Sequence, residues 1–235
     1  MSVPRDPPDL DPGFWPLYEA CREQTMTSVE RMYALYKAVE YIARHAIDGD
    51  LVECGVWRGG SVMMMALALR AFGASARVLH CFDTFEGMPP PGAPDIRHDD
   101  GASAAAILAT SPKDEDSVYW GLSPLETVRS NLAATGYPPQ RIKYVKGKVE
   151  DTLPAHLPER IALLRLDTDW YASTRHELIH LYPRLAEGGV IIIDDYGFWR
   201  GARQAVDEYL AESGARLLLN RIDVTGRIGV KLGSR

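Results

Sequence analysis

Apolar residues along the chain fall into two rhythms. Short apolar runs occur at residues 51–54, 77–82, 142–146, 161–166 and 188–193. Between them lie longer stretches in which apolar positions recur every three or four residues. A short apolar run between turn signals suits a strand covered on both faces, although periodicity alone leaves a buried helix open. The run Ile161-Ala162-Leu163-Leu164-Arg165-Leu166 is the clearest of these. Among the helical stretches, Met32, Leu35, Tyr36, Val39 and Ile42 predict a helix reaching about residue 45, entered through a capping box in which Glu30 follows Thr27. A second box, Ser123-Pro124-Leu125-Glu126, opens a helix to about residue 134 with Pro at its first position. Further helices are expected over 14–22, 61–70, 172–185 and 201–213, the last with Ala205, Val206, Tyr209 and Leu210 on one face. Two closing strands, 215–220 and 227–232, have no helix between them.

Strands alternating with helices imply a doubly wound α/β fold with a mostly parallel, seven-stranded sheet. The closing pair implies an antiparallel last strand. The chain reads as one domain over 1–235, with a loose, Pro- and Asp-rich arm at 1–13 and helices up to residue 46. Residues 88–118 break the rhythm: Pro89-Pro90-Pro91 leads into Asp95, Arg97, His98, Asp99 and Asp100, then into an Ala-rich piece. A connection this long inside a compact domain is usually functional, and it reads as a lid, with His98 a candidate substrate contact.

Composition narrows the class. Of 235 residues, 46% are hydrophobic and 25% charged, which favours an ordinary globular chain. The formal net charge of -6 disfavours a nucleic-acid partner. No apolar run approaches the roughly 18 residues of a membrane span, and the first residues do not look like a signal peptide. Cys21, Cys54 and Cys81 have no metal-type spacing and read as reduced thiols of a cytoplasmic protein.

The chemistry collects at strand ends, where ligands of open α/β sheets bind. The run 51–54 leads into Gly55-Val56-Trp57-Arg58-Gly59-Gly60-Ser61, a Gly-rich turn before a helix that offers free N–H groups. Its spacing is not that of a dinucleotide fingerprint. The run 77–82 ends in Asp83, an acid placed to accept ribose hydroxyls. The run 161–166 ends in Asp167 and Asp169, two apart and therefore on one side of an extended chain. The run 188–193 ends in Asp194 and Asp195. Close carboxylates repel unless a cation or a proton resolves them, and Asp167, Asp194 and Asp195 suit a hard divalent cation such as Mg²⁺. His176 and His180, four apart without an intervening Glu after the first, are a poor zinc signal.

The segments Val52-Glu53-Cys54-Gly55-Val56-Trp57-Arg58-Gly59-Gly60-Ser61, Phe82-Asp83-Thr84-Phe85-Glu86-Gly87-Met88, Lys146-Gly147-Lys148-Val149-Glu150-Asp151, Leu164-Arg165-Leu166-Asp167-Thr168-Asp169-Trp170-Tyr171 and Ile193-Asp194-Asp195-Tyr196-Gly197 resemble the macrocin O-methyltransferase family. The runs at 25–31 and 199–209 are similar to it as well. The resemblance implies a class I methyltransferase fold and S-adenosylmethionine- and Mg²⁺-dependent methylation of sugar hydroxyls in antibiotic biosynthesis. It implies that Glu53, Cys54, Gly55, Val56 and Trp57 line the methionine and ribose part of the cofactor. Met26, Ser61, Thr84, Phe85, Glu86 and Gly87 join them, Asp83 takes the ribose hydroxyls, and Glu150 and Asp151 lie near the adenine. Asp167, Asp194 and Asp195 become metal ligands, with Asp167 also touching the cofactor, and Asp169 the general base. A glycoside substrate and a homo-oligomer are expected. The rival readings are a methyltransferase of catechol-like acceptors and a non-catalytic cofactor-binding scaffold.

Overall fold

The computed structural model describes residues 9–233, so the first eight residues of the expected arm lie outside the described residues. The rest of that arm is not loose: Leu10 packs on the core, and Asp11 pairs with Lys37 at 2.9 Å. The strands are β1 (Asp50–Cys54), β2 (Leu79–Asp83), β3 (Ile142–Lys146), β4 (Ile161–Leu166), β5 (Leu185–Ile193), β6 (Leu217–Arg221) and β7 (Arg227–Lys231). They form one sheet in the order β3-β2-β1-β4-β5-β7-β6. The pairings among β1 to β5 are parallel, and β7 runs against both β5 and β6, as the missing helix requires. The helices are α1 (Phe14–Cys21), α2 (Val29–Arg44), α3 (Gly60–Ala71), α4 (Ala104–Thr110), α5 (Leu125–Ala134), α6 (Val149–Thr152), α7 (Tyr171–Leu181) and α8 (Arg200–Ser213). No described helix is long and apolar enough to cross a membrane.

Both faces of the sheet are covered, which is why its central strands read as apolar runs without alternation. Leu51, Leu163, Val190 and Ile192 pack with residues of α1, α2, α3 and α5. Val52, Leu164, Leu166, Ile191 and Ile193 pack with residues of α6, α7 and α8. All three cysteines are buried free thiols.

Four local expectations shift. Ser28, not Thr27, caps α2, its hydroxyl accepting the Arg31 N–H at 3.1 Å. Ser123 caps nothing: α5 starts at Leu125 behind Pro124, and the buried Ser123 hydroxyl has no partner. The helix expected to reach residue 185 stops at Leu181, because a 3₁₀ turn over Tyr182–Arg184 contains Pro183, which lacks an N–H to continue the ladder. The fifth strand accordingly begins at Leu185, ahead of its glycines.

β1 has β2 on one side and β4 on the other, so the strand order reverses between β1 and β4 and a crevice opens at their carboxyl ends. Gly55 sits there with φ +82°, and a Cβ at that position would collide with the Asp167 carbonyl. Only glycine lets the exits of β1 and β4 lie this close. The 88–118 segment is pinned over the crevice. Ala104 and Leu108 of α4 bury themselves against Trp170, Trp199 and Ala202. Asp95 accepts the N–H groups of Tyr171 at 2.8 Å and Gly92 at 2.7 Å, and the Trp170 indole donates to the Pro89 carbonyl at 2.9 Å.

Candidate active site

The parallel ladder carries the acids to one level. Past the last strand residues, the Asp167 N–H donates to the Cys54 carbonyl and the Asp194 N–H to the Leu166 carbonyl, each at 2.9 Å. Asp167, Asp194 and Asp195 each place one carboxylate oxygen within 4.8 Å of the others. Asp169 joins them by a different route from the extended chain expected. Its φ of +64° is left-handed, a conformation a non-glycine residue adopts only where surrounding contacts hold it. Those contacts are the Trp199 indole N–H, donated to its Oδ1 at 2.8 Å, and a carboxyl–carboxyl hydrogen bond with Asp195.

Two arginines, the buried Arg165 and the half-buried Arg31, answer part of this charge. Arg165, one residue before the end of β4, donates to Glu53 of β1, to Asp167 at 2.6 Å and to Asp194. Arg31 of α2 reaches Asp194 and is shared with Asp223 at 3.0 Å. Three carboxylates around Arg165 outweigh its burial and hold it well above its usual pKa, so it stays charged. Fully ionised, Glu53, Asp167, Asp169, Asp194 and Asp195 still exceed the two guanidiniums by three negative charges. The excess shows in the titration. Burial, with Asp167 adding repulsion, pushes Asp169 up to about 7. Burial, opposed by Arg165, pushes Asp194 up to about 6. Asp195 is raised well above the carboxylate range by burial and then by Asp169. A set of oxygen donors short of positive charge fits a hard divalent cation.

On the other side of Gly55 the surroundings change. The Asp83 carboxylate accepts the backbone N–H groups of Val56 at 2.6 Å, Trp57 at 3.1 Å and Phe85 at 2.7 Å. It therefore clamps the Gly-rich turn; burial still raises its pKa against those three donors. Trp57 and Phe85 are left-handed, with φ of +47° and +54°.

A cleft of about 300 Å³ brings together Met26, Glu53, Gly55, Val56, Trp57, Ser61, Asp83, Asp167, Asp169, Asp194 and Asp195. A smaller cavity beside it is lined by Thr84, Gly87 and Glu150 and shares Gly55, Asp83 and Asp167. Four expected site residues line neither. Cys54 is buried in the sheet, Phe85 is buried, Glu86 is exposed and paired with Lys146 at 2.6 Å, and Asp151 is exposed on α6. Ser173, which sequence reasoning passed over, holds Glu150 at 2.9 Å.

Arg165 had a signal: a lone charge in an apolar run, two before Asp167 and so on the same side of the strand. Arg31, Asp223 and Phe198 had none, since each arrives from a distant segment. The apolar mouth is formed by Met26 and Val118, both exposed, with Met88, Tyr119 and Phe198.

Comparison with known proteins agrees with this geometry. The macrocin-O-methyltransferase (TylF) family matches residues 15–229. The chain is 37% identical over 223 residues to the 8-demethyl-8-(2,3-dimethoxy-alpha-L-rhamnosyl)-tetracenomycin-C 4'-O-methyltransferase of Streptomyces olivaceus, covering 93% of this chain and 80% of that protein. It is 33% identical over 202 residues to the mycinamicin III 3''-O-methyltransferase of Micromonospora griseorubida, covering 86% and 76%. Among solved structures, the O-methyltransferase NovP superposes with a TM-score of 0.77 at 32% identity, covering 89% of this chain and 83% of NovP. The chain belongs to the macrocin-O-methyltransferase (TylF) family and is an S-adenosylmethionine-dependent O-methyltransferase.

Proposed function

We propose that the protein methylates a sugar hydroxyl on a glycosylated natural product, with Mg²⁺ held by Asp167, Asp194 and Asp195 and with Asp169 as general base. The observation that carries this reading is the position of Asp169: it shares one cleft with a three-carboxylate cluster and with the Gly-rich turn. The rhamnosyl group in the name of the Streptomyces olivaceus relative supports a sugar acceptor.

The cofactor would lie along the Gly55 turn. Asp83 keeps the Val56 and Trp57 N–H groups in place through Oδ2, and its Oδ1, which accepts the Phe85 N–H, retains one lone pair for a ribose hydroxyl. Glu150, held by Ser173 and with its second oxygen buried and unpartnered, is available to an adenine amino group. When bound, Mg²⁺ polarises the acceptor hydroxyl and lowers its pKa. Asp169, raised to about 7 and fixed by the Trp199 indole, takes the hydroxyl proton. A bound S-adenosylmethionine would supply a sulfonium methyl to the deprotonated oxygen, the S–CH3 bond breaking to leave S-adenosylhomocysteine; charge would be annihilated, which exclusion of water favours. The pinned 88–118 segment supplies that cover and acts as the lid.

The test is methyl transfer from S-adenosylmethionine to a panel of deoxysugar glycosides and catechols, followed by mass spectrometry with and without a chelator. Methylation of glycosides alone, abolished by the chelator, is expected. Turnover of catechols alone would replace the sugar reading, and cofactor binding without turnover of either panel would move the acceptor to another class.

A further inference from the structure

A cavity of about 570 Å³ beside the candidate active site has no part in methyl transfer as described. Its wall includes His98, Tyr196, Arg203, Arg221 and Arg227, and it shares Phe198 and Thr225 with the main cleft. A ligand that presents a hydroxyl to the acids and continues past Phe198 and Thr225 enters this annex.

The annex is basic in a chain of net charge -6. Arg221 donates through Nε to the Asp223 carbonyl at 2.6 Å. Arg227 donates from one terminal nitrogen to the carbonyls of Asp223, Thr225 and Gly226. Among the described residues neither meets a carboxylate. Among the described residues Arg203 meets one carboxylate, the exposed Asp207, at 3.4 Å. Asp99, the acid on the wall, is engaged by Arg97 at 3.4 Å. The guanidiniums of Arg203 and Arg227 lie 5.5 and 4.8 Å from the Tyr196 ring centroid, which limits their freedom before any ligand arrives. Planar cations fixed in advance, with N–H donors unused, match paired oxygens of a phosphate or carboxylate.

We infer that the annex binds an oxyanion carried by the acceptor away from its reacting hydroxyl: the diphosphate of an activated sugar or a carboxylate on a glycoside. Arg221 and Arg227 are then specificity residues. The inference rests on the sugar-methylation reading for the ligand that spans the two cavities, not for the anion site itself.

The experiment is calorimetric titration of the full chain at constant ionic strength with inorganic pyrophosphate and, separately, malonate. The samples are wild type, Arg221→Gln, Arg203→Gln/Arg221→Gln and Arg184→Gln, the last an exposed arginine elsewhere. Saturable binding is expected in wild type and Arg184→Gln, weakened about tenfold for each annex arginine removed. Pyrophosphate alone binding assigns a diphosphate-linked sugar; malonate binding as tightly assigns a carboxylated glycoside. Absence of heat for both anions, or the same affinity in every variant, overturns the inference. S-adenosylhomocysteine titrated into the same samples separates the readings: its binding together with no anion binding removes the annex alone, and its failure to bind wild type removes the proposed cofactor placement and with it the sugar-methylation reading.

Discussion

Asp83 at the end of β2 and Asp194 and Asp195 after β5 lie along one sheet edge, in opposite surroundings. Asp83 faces three backbone N–H groups, so its charge is matched by fixed dipoles and spent on shaping the Gly55 turn. Asp194 and Asp195 face other carboxylates, with Arg165 and Arg31 covering only part of the charge. The first arrangement needs no cation to balance it and builds a wall. The second is left short of positive charge, which is what a cation site requires before its ion arrives.

Substitutions sharpen that contrast. The largest effect is expected at Asp194→Ala, which removes a proposed cation ligand and leaves Arg31 and Arg165 one partner short. Turnover should fall about 10⁴-fold and its metal dependence disappear, while S-adenosylhomocysteine still binds. An unchanged metal response in steady-state kinetics would reject the ligand assignment. Asp169→Asn keeps the shape and removes the base, so kcat should drop about 10³-fold with cofactor affinity intact. Retained turnover would take Asp169 out of the mechanism. On the other side, Asp83→Asn replaces an acceptor of three N–H groups by an amide whose NH₂ faces donors. A loss of about 1–3 kcal/mol in urea denaturation is expected, with weaker cofactor binding.

The last substitution tests burial without a cation. Glu177 on α7 is fully buried, accepts the Thr168 hydroxyl at 3.0 Å, and has its other oxygen unpartnered. Burial raises its pKa well above the ordinary value. The folded state therefore holds the proton more tightly than the unfolded one. Its stabilising contribution is whole below the unfolded pKa of about 4.3 and declines as pH rises toward the folded value, by up to about 1.4 kcal/mol per unit. Glu177→Gln removes this slope. Denaturation from pH 5 to 9 should show the variant gaining on wild type as pH rises; parallel curves would mean that Glu177 is not held protonated.

The sheet was legible because burial on both faces leaves apolar runs, and the strand-end acids because each run stops at Asp83, Asp167 or Asp194. The site's balance was less so. Asp169 reaches the cleft by a left-handed turn that no alternation rule foresees, and Arg31 and Asp223 are brought in by α2 and the β6–β7 turn. The two capping boxes failed locally because a shift of one residue moves a hydroxyl away from the N–H it was to accept, as at Thr27 and Ser123. The 88–118 segment was marked by composition, but its anchor, Asp95 on the Tyr171 N–H, follows only from tertiary placement.

The claim that the β4 and β5 ends form a cation site is tested most directly by calorimetric titration of Mg²⁺ into the wild-type protein and into Asp194→Asn, in buffers of different ionisation enthalpy. One saturable site per wild-type chain is expected, with proton release because Asp194 near 6 and the raised Asp195 must ionise, and loss of that site in the variant. No saturable binding to wild type, or identical binding in Asp194→Asn, would contradict it.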